Sequence, residues 1–576
     1  MLRIMMDSCI ACFIVLTGSV SAQESSRRQI DQETIAAYEK LGAIYGGFKS
    51  NDYGFLEFNA GKEAASKGLP VFKFYQLSKD GLPTPPVVNV LFGLDLSRLE
   101  INDADLKKLA SLKQLHTLCL SEAGITDDAM KELANLKQLQ SLDLGATKVT
   151  DARLKDLAKL TQLQSLNLWR TQVTGVGLKE LANLKQLQSL GLEAIKVTDV
   201  GLKELANLKQ LQSLDIAQTK TTDVGLKELA NLKHLQSLCL GDTKITDVGL
   251  KELANLKHLQ SLDLSYTKVT GAGLEDLVNL KQLLNLNLKL TKVTDVGLKG
   301  LAKLTQLQSL NLEGTEVTDV GLKDLAKLTQ LHSLDLGGTQ VKGVGLKELA
   351  NLKQLQSLNL EGIDATDVNW KELAKLTQLH SLDLRNSLIT DGGMKELANL
   401  KQLRTLELGV TKVTDAGMKD LGKLTQLQSL DLGGTKVTDV GLKELANLTQ
   451  LNELYLVSTK ITGVGFKDFV KVKQLKILYL GDTEVTDEGL KELTNFTQLH
   501  TLDLSFTKVT DGGMKDLVKL TELNTLFLGG TPPLTNRGLK ELTKLTQLKR
   551  LTLSQKKTDE ELKELRKGLP PNCYID

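Results

Sequence analysis

The chain has 576 residues, of which 72 are Lys or Arg and 70 are Asp or Glu, so its formal net charge at pH 7 is +2. Lys and Glu alternate without a long block of one sign, and this pattern excludes an electrostatic footprint for nucleic acid or for an anionic membrane surface. Hydrophobic residues make up 41% of the sequence, which is enough to form a folded core.

Residues 1–22 predict a signal peptide. They contain one Arg, an apolar run from Cys9 to Leu16 and small residues ending at Ala22. The apolar run is too short to span a bilayer, and no later segment of the sequence approaches the required length. We therefore expect an exported protein in the periplasm, at the cell surface or outside the cell, with no membrane span.

Residues 23–90 predict an N-terminal region whose composition differs from the rest of the chain. Asp31 is placed to cap a helix, and Pro83, Pro85 and Pro86 mark a bend before Val87. Apolar residues continue the helical spacing through Ile35, Tyr38, Leu41, Tyr45 and Phe48, and further aromatics lie in short extended runs at Phe55, Phe58, Phe72, Phe74 and Tyr75. The region is interpreted as a cap that covers the first core of a repeat array. A small ligand-binding domain is the alternative.

A 24-residue repeat fills residues 91–553 in twenty copies, with one step of 25 residues at Pro532-Pro533. Each copy begins LxxLxL, which alternates apolar and polar side chains as a half-buried strand does. It continues TxVTDxGLKELAxL, where Leu residues spaced by three form one stripe of a short helix and the Thr-Asp pair lies at the helix N-cap. No copy buries enough apolar surface to fold alone, so the copies must stack.

This repeat resembles those of the leucine-rich-repeat family. It looks like the TxVTDxGL repeats of secreted bacterial leucine-rich-repeat proteins, and it is similar to the ITDxGL repeats of cysteine-containing F-box proteins and ribonuclease-inhibitor-like folds. The resemblance implies an α/β solenoid, or horseshoe, with a parallel β-sheet on the concave face and short helices on the convex face. Thr occupies the position where those relatives carry Asn or Cys, and a hydroxyl ladder to neighbouring backbone is expected at Thr147, Thr171, Thr219 and Thr243.

Residues 554–576 predict a C-terminal cap. Thr558 to Glu561 reads as a capping box that starts a helix, Gly568 ends that helix, and residues 572–575 offer a final strand. The three cysteines that follow the predicted signal peptide, Cys119, Cys239 and Cys573, are too far apart or too isolated to form a disulfide.

The sequence predicts no catalytic centre, no metal site and no cofactor. His234 and His258 occupy adjacent copies, but no third ligand accompanies them. Acidic residues occupy the fifth position of nine copies, where the strand should face outward, and Asn occupies it in several others. This acidic row is interpreted as a solvated strand face, with a salt-sensitive binding surface for a basic partner or calcium as the alternative.

The candidate binding residues are those that break the consensus of the copies. Tyr455, Tyr479 and Phe527 replace the fifth-position Asp or Asn, and Glu453 and Ile477 replace the third-position Ser. Aromatics clustered on an outward face are typical of binding hot spots, although sequence drift near one end of the array would give the same pattern. Trp169 and Arg170 form a second candidate.

We therefore predict a monomeric, non-enzymatic scaffold that binds a protein or another macromolecule on its concave face. The resemblance to F-box proteins also allows a substrate-recognition subunit of a ubiquitin-ligase-like complex, which the predicted export signal argues against. An enzyme would need its site within residues 23–90, and that stretch contains no His and no Cys.

Overall fold

The computed structural model describes residues 30–50, 56–554, 558–570 and 573–576. The signal peptide predicted for residues 1–22 lies outside the described residues and stays a prediction. The chain divides into two compact units, of which unit 1 ends at Leu310 and unit 2 comprises Asn311–Asp576.

Unit 1 is built on parallel strands that follow an N-terminal antiparallel element. β1 pairs with β2 and β3 in antiparallel fashion, and β3 begins a parallel ladder that continues from β4 to β12 in chain order. The strands are β1 Ala43–Ser50, β2 Leu56–Ala60, β3 Pro70–Phe74, β4 Phe92–Asp95, β5 Leu115–Cys119, β6 Ser141–Asp143, β7 Ser165–Asn167, β8 Ser189–Gly191, β9 Ser213–Asp215, β10 Ser237–Cys239, β11 Ser261–Asp263 and β12 Asn285–Asn287. β13, Ser309–Asn311, contains the boundary between the units.

Short helices alternate with the strands of unit 1. The α-helices are α1 Gln32–Lys40, α2 Lys62–Lys67, α3 Asp103–Lys108, α4 Met130–Leu133, α5 Leu154–Leu157, α6 Asp199–Leu205, α7 Asp223–Leu229, α8 Asp247–Leu253 and α9 Asp295–Leu301. The 3₁₀ segments are Leu109–Ser111, Asp127–Ala129, Asp151–Arg153, Gly177–Asn183 and Ala272–Asn279.

Unit 2 repeats the same alternation, and its strands β14 to β24 pair in parallel with their neighbours in chain order. The strands are β14 Ser333–Asp335, β15 Ser357–Asn359, β16 Ser381–Asp383, β17 Thr405–Glu407, β18 Ser429–Asp431, β19 Glu453–Tyr455, β20 Ile477–Tyr479, β21 Thr501–Asp503, β22 Thr525–Leu528, β23 Arg550–Leu553 and β24 Tyr574–Ile575. The α-helices are α10 Leu322–Leu325, α11 Leu346–Leu349, α12 Asp367–Leu373, α13 Asp391–Leu397, α14 Asp415–Leu421, α15 Asp439–Leu442, α16 Asp487–Glu492, α17 Asp511–Leu517, α18 Asn536–Leu542 and α19 Asp559–Gly568. Three 3₁₀ segments lie at Lys443–Leu445, Val464–Asp468 and Leu493–Asn495.

The core of each unit is a set of leucine rows that run from copy to copy. In β18 the central Leu430 is fully buried, while its neighbours Ser429 and Asp431 are half-buried on the opposite side of the strand. This alternation confirms the strand predicted from LxxLxL, and one strand in each copy from β4 to β23 confirms the twenty copies. We call the side of the sheet that carries the third and fifth residues of each copy the strand face.

A carboxylate ladder also links successive copies. The Asp that begins a helix accepts two hydrogen bonds from the Thr of the next copy, as when Asp415 Oδ1 and Oδ2 accept from the Thr438 amide and hydroxyl at 2.7 Å each. The Thr hydroxyl in turn caps its own helix by accepting from the N–H two residues on, which confirms the predicted N-cap. Ten pairs share this arrangement: Asp127–Thr150, Asp151–Thr174, Asp199–Thr222, Asp223–Thr246, Asp247–Thr270, Asp391–Thr414, Asp415–Thr438, Asp439–Thr462, Asp487–Thr510 and Asp511–Thr535.

Four copies replace this Asp with Gly and so supply no carboxylate to the following copy: Gly175, Gly271, Gly343 and Gly463. At Gly463, which has a φ of 95°, an added Cβ would lie 2.8 Å from the Cα of Gly489 in the next copy. Backbone of two copies is therefore in direct contact where the carboxylate is missing. The helical segment after Gly463 is the 3₁₀ segment Val464–Asp468 rather than an α-helix.

The four Thr residues expected to form the hydroxyl ladder bond within their own copy, whereas Thr531, at the same ninth position, also bonds Ser554 of the next copy. Thr147 donates its hydroxyl hydrogen to the Leu144 carbonyl at 2.6 Å, and Thr243 does the same to Leu240. At the four expected positions, each Thr hydroxyl donates to the carbonyl three residues back in its own copy, so these bonds do not join one copy to the next. The Thr-Asp pairs, rather than these ninth-position Thr hydroxyls, make recurring side-chain hydrogen bonds between copies.

The N-terminal helix is shorter than the apolar spacing predicts. α1 begins after its N-cap Asp31, as expected, but it ends at Lys40, and Gly42 adopts a φ of 91° that turns the chain into β1. Tyr45 and Phe48 are therefore strand residues, and the prediction of a helix through Phe48 is wrong. A spacing of three and four also fits a helix followed by a strand.

Aromatic packing joins this N-terminal element to the first copy. The Tyr38 ring lies 3.8 Å from the Phe72 ring in a stacked arrangement, and both contact Phe92 of β4 edge-on. The Tyr38 hydroxyl donates to the Pro86 carbonyl at 3.0 Å. The side chains at this end of unit 1 therefore form a buried cluster on the first repeat strand.

At the other end, β24 extends the parallel ladder of unit 2. Thr558 and Glu561 form the predicted capping box of α19, and Leu565, Leu569 and Cys573 are buried. Cys119, Cys239 and Cys573 are free thiols.

Removing one rung of the carboxylate ladder should destabilise the protein measurably. Asp415→Ala leaves the amide and hydroxyl of Thr438 and the amide of Gly441 without their acceptor. Each lost partner of a buried polar group costs about 1–3 kcal/mol, so we expect a loss of about 2–4 kcal/mol for these half-buried groups, measured by urea unfolding.

Asp415→Asn is the matched control, because an amide oxygen in the place of Oδ1 still accepts the bonds from the Thr438 and Gly441 amides, and it should lose about a third as much. Asp420→Ala removes an exposed pair with Lys423 and should cost less than about 1 kcal/mol. Equal unfolding midpoints for Asp415→Ala and Asp420→Ala would contradict the role of the ladder.

Candidate functional site

Three aromatic side chains form a row on the strand face of unit 2, which we call the aromatic ladder: Tyr455, Tyr479 and Phe527. Tyr455 and Tyr479 are direct neighbours on β19 and β20, and their rings stack with centroids 5.1 Å apart at an interplanar angle of 13°. All three rings are half-buried. The structure thus brings together the aromatic residues that the sequence selected.

The ladder continues across a strand that carries no aromatic residue. Phe527 lies on β22, two strands from Tyr479, which corresponds to roughly 9.6 Å at the usual strand spacing. The ring centroids are only 6.5 Å apart, so the two rings lean toward each other over Asp503 of the intervening strand. The result is one continuous apolar surface of three rings.

The fifth-position Asp residues that the ladder replaces have a structural role. Asp431 accepts a hydrogen bond from the Gly433 amide at 2.7 Å, and Asp335 and Asp503 accept equivalent bonds two residues on. These carboxylates are half-buried, so the interpretation of the row as a merely solvated face is wrong. An aromatic ring cannot make this bond, and each ladder residue therefore forgoes a contact that the consensus residue supplies.

The two third-position departures lie beside the ladder. Glu453 accepts a hydrogen bond from the Tyr455 hydroxyl at 3.1 Å and another from the Ser429 hydroxyl at 3.3 Å. Ile477 is the direct neighbour of Glu453 on β20 and is half-buried. Burial and the Glu453 carboxylate raise the pKa of Tyr455, so its hydroxyl remains a proton donor at neutral pH.

Arg550 ends the ladder on its C-terminal side and was not among the sequence candidates. Its guanidinium carbon lies 5.5 Å from the centre of the Phe527 ring, and the same group donates two hydrogen bonds to Asp576. The signal in the sequence was an Arg at the third position of its copy, where most other copies carry Ser.

Two further carboxyl groups adjoin the ladder on its N-terminal side. Glu407, Asp431 and Tyr455 occupy matching positions on β17, β18 and β19. Burial, together with the charges of Asp431 and Asp383, raises the pKa of Glu407 to about 7, and burial also raises the pKa of Asp431. The two neighbouring carboxyl groups therefore both hold their protons to a higher pH than an exposed carboxyl does.

The second candidate pair, Trp169 and Arg170, lies in unit 1 and forms its own contact. The Arg170 guanidinium carbon lies 5.2 Å from the Trp169 ring centre, and an added Cβ on Gly145 would meet the indole nitrogen at 1.7 Å. Trp169 therefore lies on the bare backbone of the preceding copy. Arg170 has a φ of 50° at the eighth position, where nearly every copy turns through the left-handed region, so its exposure follows from the turn.

The described part of the chain presents neither a cluster of metal-binding side chains nor a membrane-spanning helix. The His234 and His258 rings stack at 6.5 Å, and no group of three His, Cys, Asp or Glu residues in the described ranges is arranged to hold a metal ion. Within those same ranges, no helix combines the length and the apolar character that crossing a bilayer requires.

The raised pKa of Glu407 predicts a change of stability with pH. The unfolded carboxyl releases its proton near pH 4.5, whereas the folded one keeps its proton until about pH 7. The stability that this group contributes is therefore complete below about pH 4.5 and is lost as the pH rises to about 7. We expect Glu407→Gln to reduce the fall in melting temperature between about pH 5 and pH 7.5.

The exposed Glu484→Gln is the matched control for this measurement, since Glu484 pairs only with an exposed Lys508. Its fall in melting temperature should equal that of the unmodified protein. A Glu407→Gln variant with the same fall would show that this carboxyl does not titrate differently in the two states.

Family models match two parts of the chain. A model described as "Leucine-rich repeat region" matches residues 214–436, and one described as "Leucine Rich repeat" matches residues 497–518. No curated protein sequence matches the chain.

One solved structure with a similar arrangement is the complex of TLR13 with ssRNA13. Its chain is 21% identical, the alignment covers 80% of this chain and 73% of that chain, and the TM-score is 0.51. An internalin from Listeria monocytogenes is 26% identical, with 61% of this chain and 93% of that chain covered and a TM-score of 0.43. The ectodomain of the Arabidopsis receptor kinase HAESA, in complex with an IDA peptide hormone ligand, is 17% identical, with 96% of each chain covered and a TM-score of 0.42. At 21% identity, the likeness to the TLR13 chain shows a shared fold.

Proposed function

Because the chain is a leucine-rich-repeat protein, we propose that it is an interaction scaffold that binds a protein partner on the strand face of unit 2. The contact surface is the aromatic ladder of Tyr455, Tyr479 and Phe527, bordered by Glu453 and Ile477. The Trp169–Arg170 pair in unit 1 is a secondary contact in this proposal.

One observation carries the proposal: the ladder residues stand where other copies keep a structural acceptor. Asp431 and Asp503, on strands adjacent to ladder strands, both bond the backbone amide two residues on. Tyr455, Tyr479 and Phe527 give up that bond, yet their rings pack into one continuous surface. Three replacements have each lost the same local hydrogen bond, and together they form one surface. This pattern favours selection for binding over sequence drift.

The chemistry of the ladder suits a protein partner. Tyr and Trp residues supply large, rigid contact area with little loss of conformational freedom, and hot spots are enriched in them. The rings are already stacked, so binding requires little further ordering of the side chains. A binding surface of this type needs no catalytic group, and we propose a binding function rather than an enzymatic one.

The proposal includes the two ends of the chain. Residues 23–90 and 554–576 are caps that cover the first and last copies, consistent with the buried cluster around Tyr38 and with the pairing of β24 on β23. Residues 1–22 direct export, so the partner is met in the periplasm, at the cell surface or outside the cell. Retention of the full chain in the cytosol would instead favour the ubiquitin-ligase alternative.

Tyr479→Asp tests the contact surface. The substitution removes the central ring and installs the consensus residue, which can bond the amide of Gly481 as Asp431 bonds that of Gly433. The variant should therefore fold with an unchanged melting temperature. Loss of a hot-spot aromatic costs about 2 kcal/mol or more, so peptides selected from a random displayed library on the full chain should bind the variant about thirtyfold more weakly.

Asp335→Asn is the control, because it lies on the same strand face at β14 and keeps the acceptor for the Gly337 amide. The selected peptides should bind it with an affinity within about twofold of the unmodified protein. If the selected peptides bind Tyr479→Asp as tightly as Asp335→Asn, the aromatic ladder is not the binding surface.

A further inference from the structure

The ladder is bordered on one side by carboxyl groups that form no salt bridge within the described part of the chain. Glu407, Asp431 and Glu453 lie on the three adjacent strands β17, β18 and β19. Within the described part of the chain, no Lys or Arg side chain lies at salt-bridge distance from any of the three. The charge of Arg385 acts on Glu407 and Asp431 from the neighbouring copy, but Arg385 is itself bonded to Asp383 and Glu361, so the border has more acidic groups than basic ones.

The basic side chains nearest to this border are already paired. Arg385 on the copy of β16 binds Asp383 at 2.5 Å and Glu361 at 3.2 Å, and these contacts raise its pKa further. At the opposite end of the ladder, Arg550 binds Asp576 at 2.8 Å. An acidic ligand would have to compete with these carboxylates for each guanidinium, whereas a basic ligand would meet carboxyl groups that accept hydrogen bonds but form no salt bridge.

The stacking geometry gives a cation a place beside these carboxylates. In a row of stacked rings, each ring directs its faces along the row, and one face of Tyr455 is covered by Tyr479. The other face is directed toward β18, where Asp431 occupies the matching position. The face of an aromatic ring attracts cations, and Glu453, fixed by the Tyr455 hydroxyl, lies at the same ring.

The chain itself provides a precedent for this arrangement. At the far end of the ladder, Arg550 places its guanidinium 5.5 Å from the Phe527 ring centre with the carboxylate of Asp576 beside it. The two ends of the ladder thus have the same components, a ring face and a carboxylate. The cation is internal at Phe527, and no described side chain supplies one at Tyr455.

We propose that the partner is a basic peptide segment whose Arg or Lys side chain lies over the outer face of Tyr455, with its charge toward Glu407, Asp431 and Glu453. This inference rests on the proposed function, since it names the chemistry of the partner for the same surface. The apolar side chains that flank the basic residue pack on Tyr479, Ile477 and Phe527. Specificity for charge comes from the carboxylates, and most of the affinity comes from the rings.

Three displayed peptide libraries of equal length test the proposal: one with a fixed Arg, one with Gln at that position and one with Glu. Each is selected on the full chain. We expect binders from the Arg library, and their affinity should fall about tenfold or more for the double variant Asp431→Asn/Glu453→Gln. Both substitutions remove charge while keeping the hydrogen-bond acceptors for Gly433 and Tyr455, so the variant should fold normally.

The outcomes separate this inference from the function on which it rests. If the Gln or Glu library yields binders of equal affinity that depend on Tyr479, the proposed function stands and the basic partner is wrong. If no library yields binders that depend on Tyr479, the proposed function itself fails. Asp335→Asn controls for the same chemical change elsewhere on the strand face and should leave the affinity within about twofold.

Binding of an Arg peptide should also respond to pH and salt. The groups that face the site are Asp383 and Arg385 from the β16 copy, Glu407, Asp431, and Glu453 with Tyr455. A cation favours the ionised pair of Glu407 and Asp431, so affinity should rise between about pH 5.5 and pH 8 and fall with added salt. A fall in affinity as the pH rises, or no change with salt, would contradict a charge-directed contact.

Discussion

The structure depends on contacts that each copy makes with the next one. Twenty-four residues with one short strand and about two turns of helix cannot bury their leucines alone, and the rows of fully buried Leu side chains exist only because neighbouring copies cover them. The carboxylate ladder adds hydrogen bonds at the helix N-termini, where backbone amides would otherwise lack acceptors. Because both kinds of contact recur at the same positions, the spacing of 24 is kept from copy to copy, and the one extra residue, at Pro532-Pro533, still lets Thr535 bond Asp511 of the preceding copy.

This constraint determines where the sequence can vary. The Leu rows and the Thr-Asp pairs contact both neighbouring copies, whereas the third and fifth residues of each strand lie on the opposite side of the sheet from the buried Leu. The fifth position should tolerate substitution less well than the third, since Asp431 and its equivalents accept a hydrogen bond from the backbone amide two residues on. Replacing such an Asp with an aromatic residue therefore removes a local hydrogen bond. The aromatic ladder places three of these departures beside Glu407, Asp431 and Glu453, which form no salt bridge with a described Lys or Arg side chain, and the proposed recognition of a basic segment uses both features.

The sequence predicted the repeat, its strands and its helix caps, because periodic leucines and Thr-Asp pairs report local structure directly. It also placed Tyr455, Tyr479 and Phe527 on one face, since register follows from the repeat. It did not predict that α1 ends at Lys40, because Tyr45 and Phe48 fit either a helix or a strand. The contact between Tyr479 and Phe527 over Asp503, the role of Arg550 and the coupling of Glu407 to Asp431 depend on side-chain directions, which a repeat pattern does not specify.

The central claim is that folding and recognition are separable in this chain. The most direct measurement is to replace residues 451–474 and 475–498 with two further copies of residues 427–450, which have the same length and contain the consensus Leu and Thr-Asp positions. The phenylalanines that pack together in these copies, Phe466, Phe469 and Phe496, are exchanged as one group. The account predicts one cooperative unfolding transition at or above the original midpoint, together with loss of peptide binding. A chimera that folds and still binds the selected peptides would contradict it.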